Sequence, residues 1–280
     1  MYWAWRIRKI NPYHDERGRF TDAANAALEH ADADYSALST NVFDLGGRGA
    51  FSLAAISRRD PAGLKRTREL IAEAQATLVT KARSELNDAQ LQDMQAAADA
   101  YLSGNANDII ADYLRNDGKV SARFAAARLG SGSPFATVED AMADLVKNMD
   151  RVFKYTPRLK EDRVLWRGLK LDLRDHEWLR DAKPGMLVTD KSYLSTSEQR
   201  ELAAHFAEGV ASGLRLDVPS GTPHMLRIVA PKGTPVLPDA SHGVSELVLP
   251  RNSVFVVTAI ETVRGKGRVI SLRMLPHAET

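Results

Sequence analysis

The sequence predicts an α+β protein, with a helical N-terminal part followed by a mixed or antiparallel β-sandwich-like core. Three observations predict it. Apolar residues recur at helical spacing up to about residue 153. Beyond Tyr155 the chain breaks into short β-branched runs separated by glycine and proline. No period of about 20–50 residues repeats, which excludes a solenoid.

Taken in order, residues 1–21 form a basic arm. Arg6, Arg8, Lys9, Arg17 and Arg19 outweigh Asp15 and Glu16, and Asn11-Pro12 and Arg17-Gly18 punctuate the stretch. Residues 22–84 form a helical region and 85–280 the main domain. Leu64, Ile71 and Leu78, with Ala74 between them, keep one helical face, as do Leu91, Met94, Ala98 and Tyr101. Leu145, Met149, Val152 and Phe153 mark a further helix, opened by Thr137 with Asp140 at capping-box spacing. Residues 130–134 read as a loop between helices. The runs 164–171, 191–197, 213–218, 224–231, 246–250, 253–263 and 268–275 read as strands. HEWLRD (176–181) and SEQRELAAHFAEG (197–209) read as helices among them, and Gly221, Gly233 and Gly243 as turn glycines.

Composition removes several functions. Hydrophobic content of 44% and charged content of 26% are those of a globular protein. A net charge of +2 makes the whole molecule no polyelectrolyte partner for nucleic acid. The absence of cysteine excludes disulfides, thiolate metal sites and a cysteine nucleophile, and fits a reducing compartment. No apolar run approaches the ~20 residues of a membrane helix, so no membrane partner is expected. The opening residues lack the apolar stretch of a secretory signal. The histidines follow no metal-ligand spacing, and HExxH, P-loop, GxGxxG and GxSxG patterns are missing. No metal is expected.

Three pieces on the β half carry chemistry. LWRGL (165–169) presents Arg167 with Gly168 directly after it. A guanidinium is a fixed fork of donors suited to phosphate oxygens, and glycine lets another group approach the backbone. In TDKSYLSTSEQ (189–199), Ser195-Thr196-Ser197 closes one strand and leads into the helix carrying Leu202, Ala203 and Phe206; such hydroxyls also serve as helix caps. HGVSELVLPR (242–251) places one carboxylate, Glu246, at the head of an apolar run.

Arg, then Ser-Thr-Ser, then Glu-Leu-Val-Leu-Pro-Arg, in that order, resembles the Arg–Ser–Glu class of NAD-dependent mono-ADP-ribosyltransferases, which includes clostridial binary toxins and Rho-modifying exoenzymes. AYLSGNANDIIADYLRN (100–116) and MLRIVAPKGTPV (225–236) extend the likeness, which covers roughly residues 85–275. The resemblance implies that Arg167 binds the phosphates or ribose of NAD and that the Gly168 backbone meets the nicotinamide amide. It implies that Ser195, with Thr196 beside it, lines the NAD site and that the Ser195 hydroxyl holds Glu246. Glu246 would contact the nicotinamide ribose and stabilise positive charge as nicotinamide leaves. Phe206 either packs on nicotinamide, as an aromatic does in relatives, or is a core residue. Some relatives carry an arginine shortly after that aromatic, where this chain has Glu208-Gly209.

Residues i and i+2 of a strand face the same way, so Val244 accompanies Glu246. Relatives that modify arginine carry a second glutamate there, and those that modify asparagine or cysteine often carry glutamine. Arginine stays protonated, with a pKa above about 12, and a positioned base is worth about 10²–10⁴-fold. Valine supplies none. The expected acceptor is therefore not arginine but a nucleic-acid base or ribose, a hydroxyl with its own base, or water. His242, two residues further back, is either a substitute base or a loop histidine.

NPYHDERGRF (11–20) resembles a peptide at the head of phage capsid-associated and head-morphogenesis proteins. The expectation is a phage-encoded enzyme, located in the virion or the bacterial host cytoplasm. Its arm would meet capsid proteins, and its acceptor would be a host protein or nucleic acid. An NAD glycohydrolase and a non-catalytic virion component are the alternatives.

Overall fold

The computed structural model describes residues 61–102, 107–121, 124, 134–171, 177–208, 222–239, 245–263 and 267–276. The basic arm, residues 22–60, the run 213–218, the glycines at 221 and 243, and most of the 130–134 loop lie outside the described residues.

Helix α1 (Pro61–Thr77) runs on through a π-helical turn (Leu78–Ala82) to Glu85. Helices α2 (Asp88–Leu102), α3 (Asn107–Arg115) and α4 (Val138–Tyr155) follow. Helix α4 begins as its sequence predicts. The Asp140 amide donates to Thr137 Oγ1 at 3.0 Å and the Thr137 amide to Asp140 Oδ2 at 3.1 Å, satisfying two donors that a helix start leaves open. Its apolar stripe is buried, with Met142 and Met149 fully enclosed. Helix α1 differs from expectation. Leu64, Ile71 and Leu78 are only half-buried, and the buried positions are Gly63 and Thr67. The reason is its neighbour: α1 lies on a short strand and a loop, where polar groups need partners.

A five-stranded sheet has the order β1 (Arg163–Leu171), β4 (Thr222–Ala230), β8 (Gly267–Met274), β7 (Ser253–Val263), β2 (Leu187–Asp190). The β4–β8 pair is parallel and the others antiparallel. A three-stranded antiparallel sheet has the order β3 (Leu194–Thr196), β6 (Glu246–Leu249), β5 (Leu237–Asp239). Helix α5 (Glu177–Asp181) precedes β2, and α6 (Arg200–Glu208) follows β3. The sequence reading lacks β2 and β5. Both are short edge strands, and β5 has a proline at its centre, which an edge tolerates because that position donates nothing to a ladder.

Alternation along the strands divides the interior into two cores. Leu165, Leu226, Ile228 and Ile270 of the large sheet meet Leu194, Leu247 and Leu249 of the small one. Val248 and Leu237, on the other side of the small sheet, pack with Tyr193 against Met142, Met149 and Phe153 of α4 and Met94 of α2. The order is helices, small sheet, large sheet, with α6 on the outer face of β1 and β4.

Candidate active site

β1 is an edge of the large sheet, and that edge meets the small sheet at one bridge. The Trp166 amide donates to the Ser197 carbonyl at 2.7 Å, and the Ser197 amide returns a bond to Trp166 O at 3.1 Å. The next residue, Arg167, shares a face with Leu165 and Leu169 and so points between the sheets. Its Nη1 donates to the Ser195 carbonyl at 3.0 Å, and only 6% of the residue is exposed. Burial lowers the Arg167 pKa from the ordinary arginine value, while the negative charges of Asp190 and Glu246 oppose that shift. Arginine starts so high that the group remains a cation.

Asp190 is itself anchored. Its Oδ1 accepts from the Ser192 amide at 2.9 Å and hydroxyl at 2.8 Å, and Arg115 of α3 lies 3.5 Å from Oδ2. Tyr101 of α2 donates to Tyr193 O at 3.3 Å and lies 3.4 Å from Ser195 Oγ. Tyr101 and Arg115 belong to the segment 100–116, while Asp190 stands in the segment 189–199 without a role in the sequence reading.

Glu246 is 1% exposed and opens β6. Ser195 pairs with Val248, which puts Ser195 and Glu246 on one face of the small sheet as diagonal neighbours. Thr196 donates to Leu247 O at 2.5 Å, and Ser197 Oγ donates to the Ser245 carbonyl. These hydroxyls therefore stitch β3 to β6 beside the carboxylate. Across the other ladder Glu246 pairs with Asp239, a buried second carboxylate that sequence reasoning missed because it stands on the proline-centred strand.

Gly168 has a tighter reason than ligand approach. A Cβ there would lie 1.9 Å from Ala203 O and 2.8 Å from Ala207 N, so it is the backbone of α6 that closes on the glycine. Phe206 is on the same helix and is 8% exposed, with its ring inside the protein. Arg167 thus reaches the Ser195 carbonyl from between the sheets, Ser195 and Glu246 stand with Val248 on the helix-facing side of the β3–β6 pair, Thr196 ties the two strands together, and Gly168 seats α6. Val244 and His242 lie outside the described residues.

The sequence reading also gave no role to two further residues, Glu198 and Thr67. Glu198, 4% exposed, accepts from Arg66 Nε at 3.0 Å and Nη2 at 2.7 Å, and from Arg163 Nη1 at 2.7 Å. Thr67 Oγ1 of α1 lies 2.5 Å from Ser245 Oγ. Gly63 and Thr67 stand at helical spacing and form the buried face of α1.

Helices first, a mixed sheet after, and a small antiparallel sheet set against its edge form the ADP-ribosyltransferase fold. The Vis toxin, an ADP-ribosyltransferase from Vibrio splendidus, is similar over 82% of this chain and 88% of its own, at 15% identity and a TM-score of 0.51. Vis bound to an M6 inhibitor matches over 84% and 90% at 15% identity and 0.51, and Vis bound to agmatine over 84% and 90% at 13% and 0.50. No protein-family model matches the chain, and no curated protein matches it in sequence.

Proposed function

We propose that this protein is an NAD-dependent mono-ADP-ribosyltransferase. The observation that carries the reading is the convergence of Arg167, Ser195 and Glu246 on the β3–β6 strand pair, with the Glu246 charge acting on Arg167, in a chain with the ADP-ribosyltransferase fold. The donor set suits a dinucleotide: a buried guanidinium for phosphate oxygens and a buried carboxylate for a ribose hydroxyl.

In the reaction the bond from the ribose C1′ to nicotinamide nitrogen breaks, and nicotinamide leaves with the electron pair. Glu246 faces the positive charge that develops on the ribose. The acceptor's lone pair then closes on C1′ and the acceptor gives up a proton. A preorganised group of this kind is worth about 10²–10³ in rate.

The acceptor belongs to the bacterial host and is a protein or nucleic acid other than arginine, because Val244 replaces the base that a guanidinium would require. Vis has been captured with agmatine, a guanidinium compound, so the two proteins would part at this step. The arm at 11–20 supports a phage-encoded, virion-associated origin on its sequence alone. Release of nicotinamide from NAD tests the chemistry. Glu246→Gln keeps the shape and removes the charge, and is expected to lower release by about 10²-fold or more. Undiminished release would remove the assignment. Transfer of labelled ADP-ribose into host lysate, with nuclease and protease controls, identifies the acceptor class, and label-free lysate with full nicotinamide release would mean water.

A further inference from the structure

We infer that Thr67 of α1 is a positioning residue for Glu246, acting through the hydroxyl of Ser245; this rests on the reading of Glu246 as the charge-stabilising carboxylate. Ser245 immediately precedes Glu246 and is 1% exposed. It is gripped from two sides. Its carbonyl accepts from Ser197, on the segment that bridges to β1, and its hydroxyl shares a hydrogen bond with Thr67 Oγ1 at 2.5 Å. Thr67 is also 1% exposed, so water does not compete for either hydroxyl.

Helix α1 is fixed to the same elements by more than this bond. Arg66, its neighbour, holds Glu198 just beyond Ser197, and α1 packs on β5, whose Asp239 pairs with Glu246. One rigid helix thus touches the residue before Glu246, the residue after Ser197 and the strand beside Glu246. A carboxylate that stabilises developing charge has to be held to a fraction of an ångström, and misplacement by 1 Å can cost about 10²-fold. Thr67 supplies the contact nearest to Glu246 in sequence.

The test uses the full chain with NAD as the probe. Thr67→Val keeps the shape and removes the hydroxyl, and Thr67→Ser keeps the hydroxyl. Turnover is expressed per NAD-binding molecule, counted by tryptophan-fluorescence titration, so that a loss of folded protein does not register. Thr67→Val is expected to lower kcat for nicotinamide release by about 10- to 100-fold with Kd for NAD within about twofold, and Thr67→Ser to stay within about threefold of wild type. Ser245→Ala should match Thr67→Val, and the double variant should lose no more than about twofold further, because the two hydroxyls act as one contact. Wild-type turnover in Thr67→Val, losses that multiply in the double variant, or a Kd that weakens in step with kcat would each overturn the role. If Thr67→Val does not fold, Ser245→Ala decides, and wild-type turnover there overturns it. Glu246→Gln is run alongside. If it turns over NAD normally, the reading of Glu246 fails and takes Thr67 with it; if it is inactive while Thr67→Val and Ser245→Ala are unimpaired, the role of Thr67 alone fails.

Discussion

Helices α1 and α4 both lie against the small sheet, yet they hold to it by different means. α4 buries Met142, Leu145, Met149, Val152 and Phe153 against Tyr193, Leu237 and Val248, and its start is closed by a capping box. α1 fully buries only a glycine and a threonine, packs a half-buried Leu70 on the inter-sheet core, and adds a hydroxyl pair and an arginine–glutamate pair. Apolar burial is strong and non-directional, worth about 25 cal/mol per Å² wherever it occurs. Hydrogen bonds contribute only about 0.5–1.5 kcal/mol each, but they fix distance and angle. Apolar burial therefore dominates at α4, and directional bonds weigh more at α1.

Removing mass from the α4 seam is the hardest blow to that contrast. Met149 is fully buried, and Met149→Ala should destabilise the protein by about 2–5 kcal/mol in chemical denaturation. A loss under about 1 kcal/mol would mean that the α4 seam is not where stability resides. Next comes the ionic anchor of α1. Glu198→Gln leaves Arg66 and Arg163 facing a neutral amide, and should cost about 1–3 kcal/mol in the same measurement. An unchanged midpoint would show that α1 is held by its apolar residues after all, and the contrast would collapse. The smallest effect belongs to the cap. Thr137→Ala should cost about 1 kcal/mol and speed amide exchange in the first turn of α4, with the rest of the helix unchanged. Uniform acceleration along α4 would mean that the cap supports more than its own turn.

The same contrast decides what could be read beforehand. α4 announces itself, since an apolar stripe and a Thr-x-x-Asp opening are local properties of the chain. Strands β1, β4, β7 and β8 are β-branched and long enough to stand out, and each appears where the sequence places it. Arg167, Ser195 and Glu246 were legible only as an ordered set, because each alone reads as an ordinary strand or cap residue. Thr67, Glu198 and Asp239 were not legible. The partners of Thr67 and Glu198 lie far along the chain, at a separation of 178 positions for Thr67 and Ser245 and 132 for Arg66 and Glu198, whereas Asp239 lies close to Glu246 in sequence and is hidden by its short, proline-centred strand. Nothing in a local window encodes such a pairing. Gly168 was legible as a site of close approach, but the approaching group is the backbone of α6.

The order of strands in the large sheet sets a timetable for synthesis. β8 is the last described strand, yet it sits at the centre, between β4 and β7, and its bond to β4 is the parallel one. Chains emerge at about 5–20 residues per second and non-local pairings close late. Without residues 267–274, β4 has no partner on its other side, and the β1–β4 and β7–β2 pairs are two separate antiparallel ribbons. Arg167 rides on the first of these ribbons, and Glu246 lies in the stretch between β4 and β7. Strand β8, pairing with β4 on one side and β7 on the other, is therefore what joins the two ribbons into one sheet.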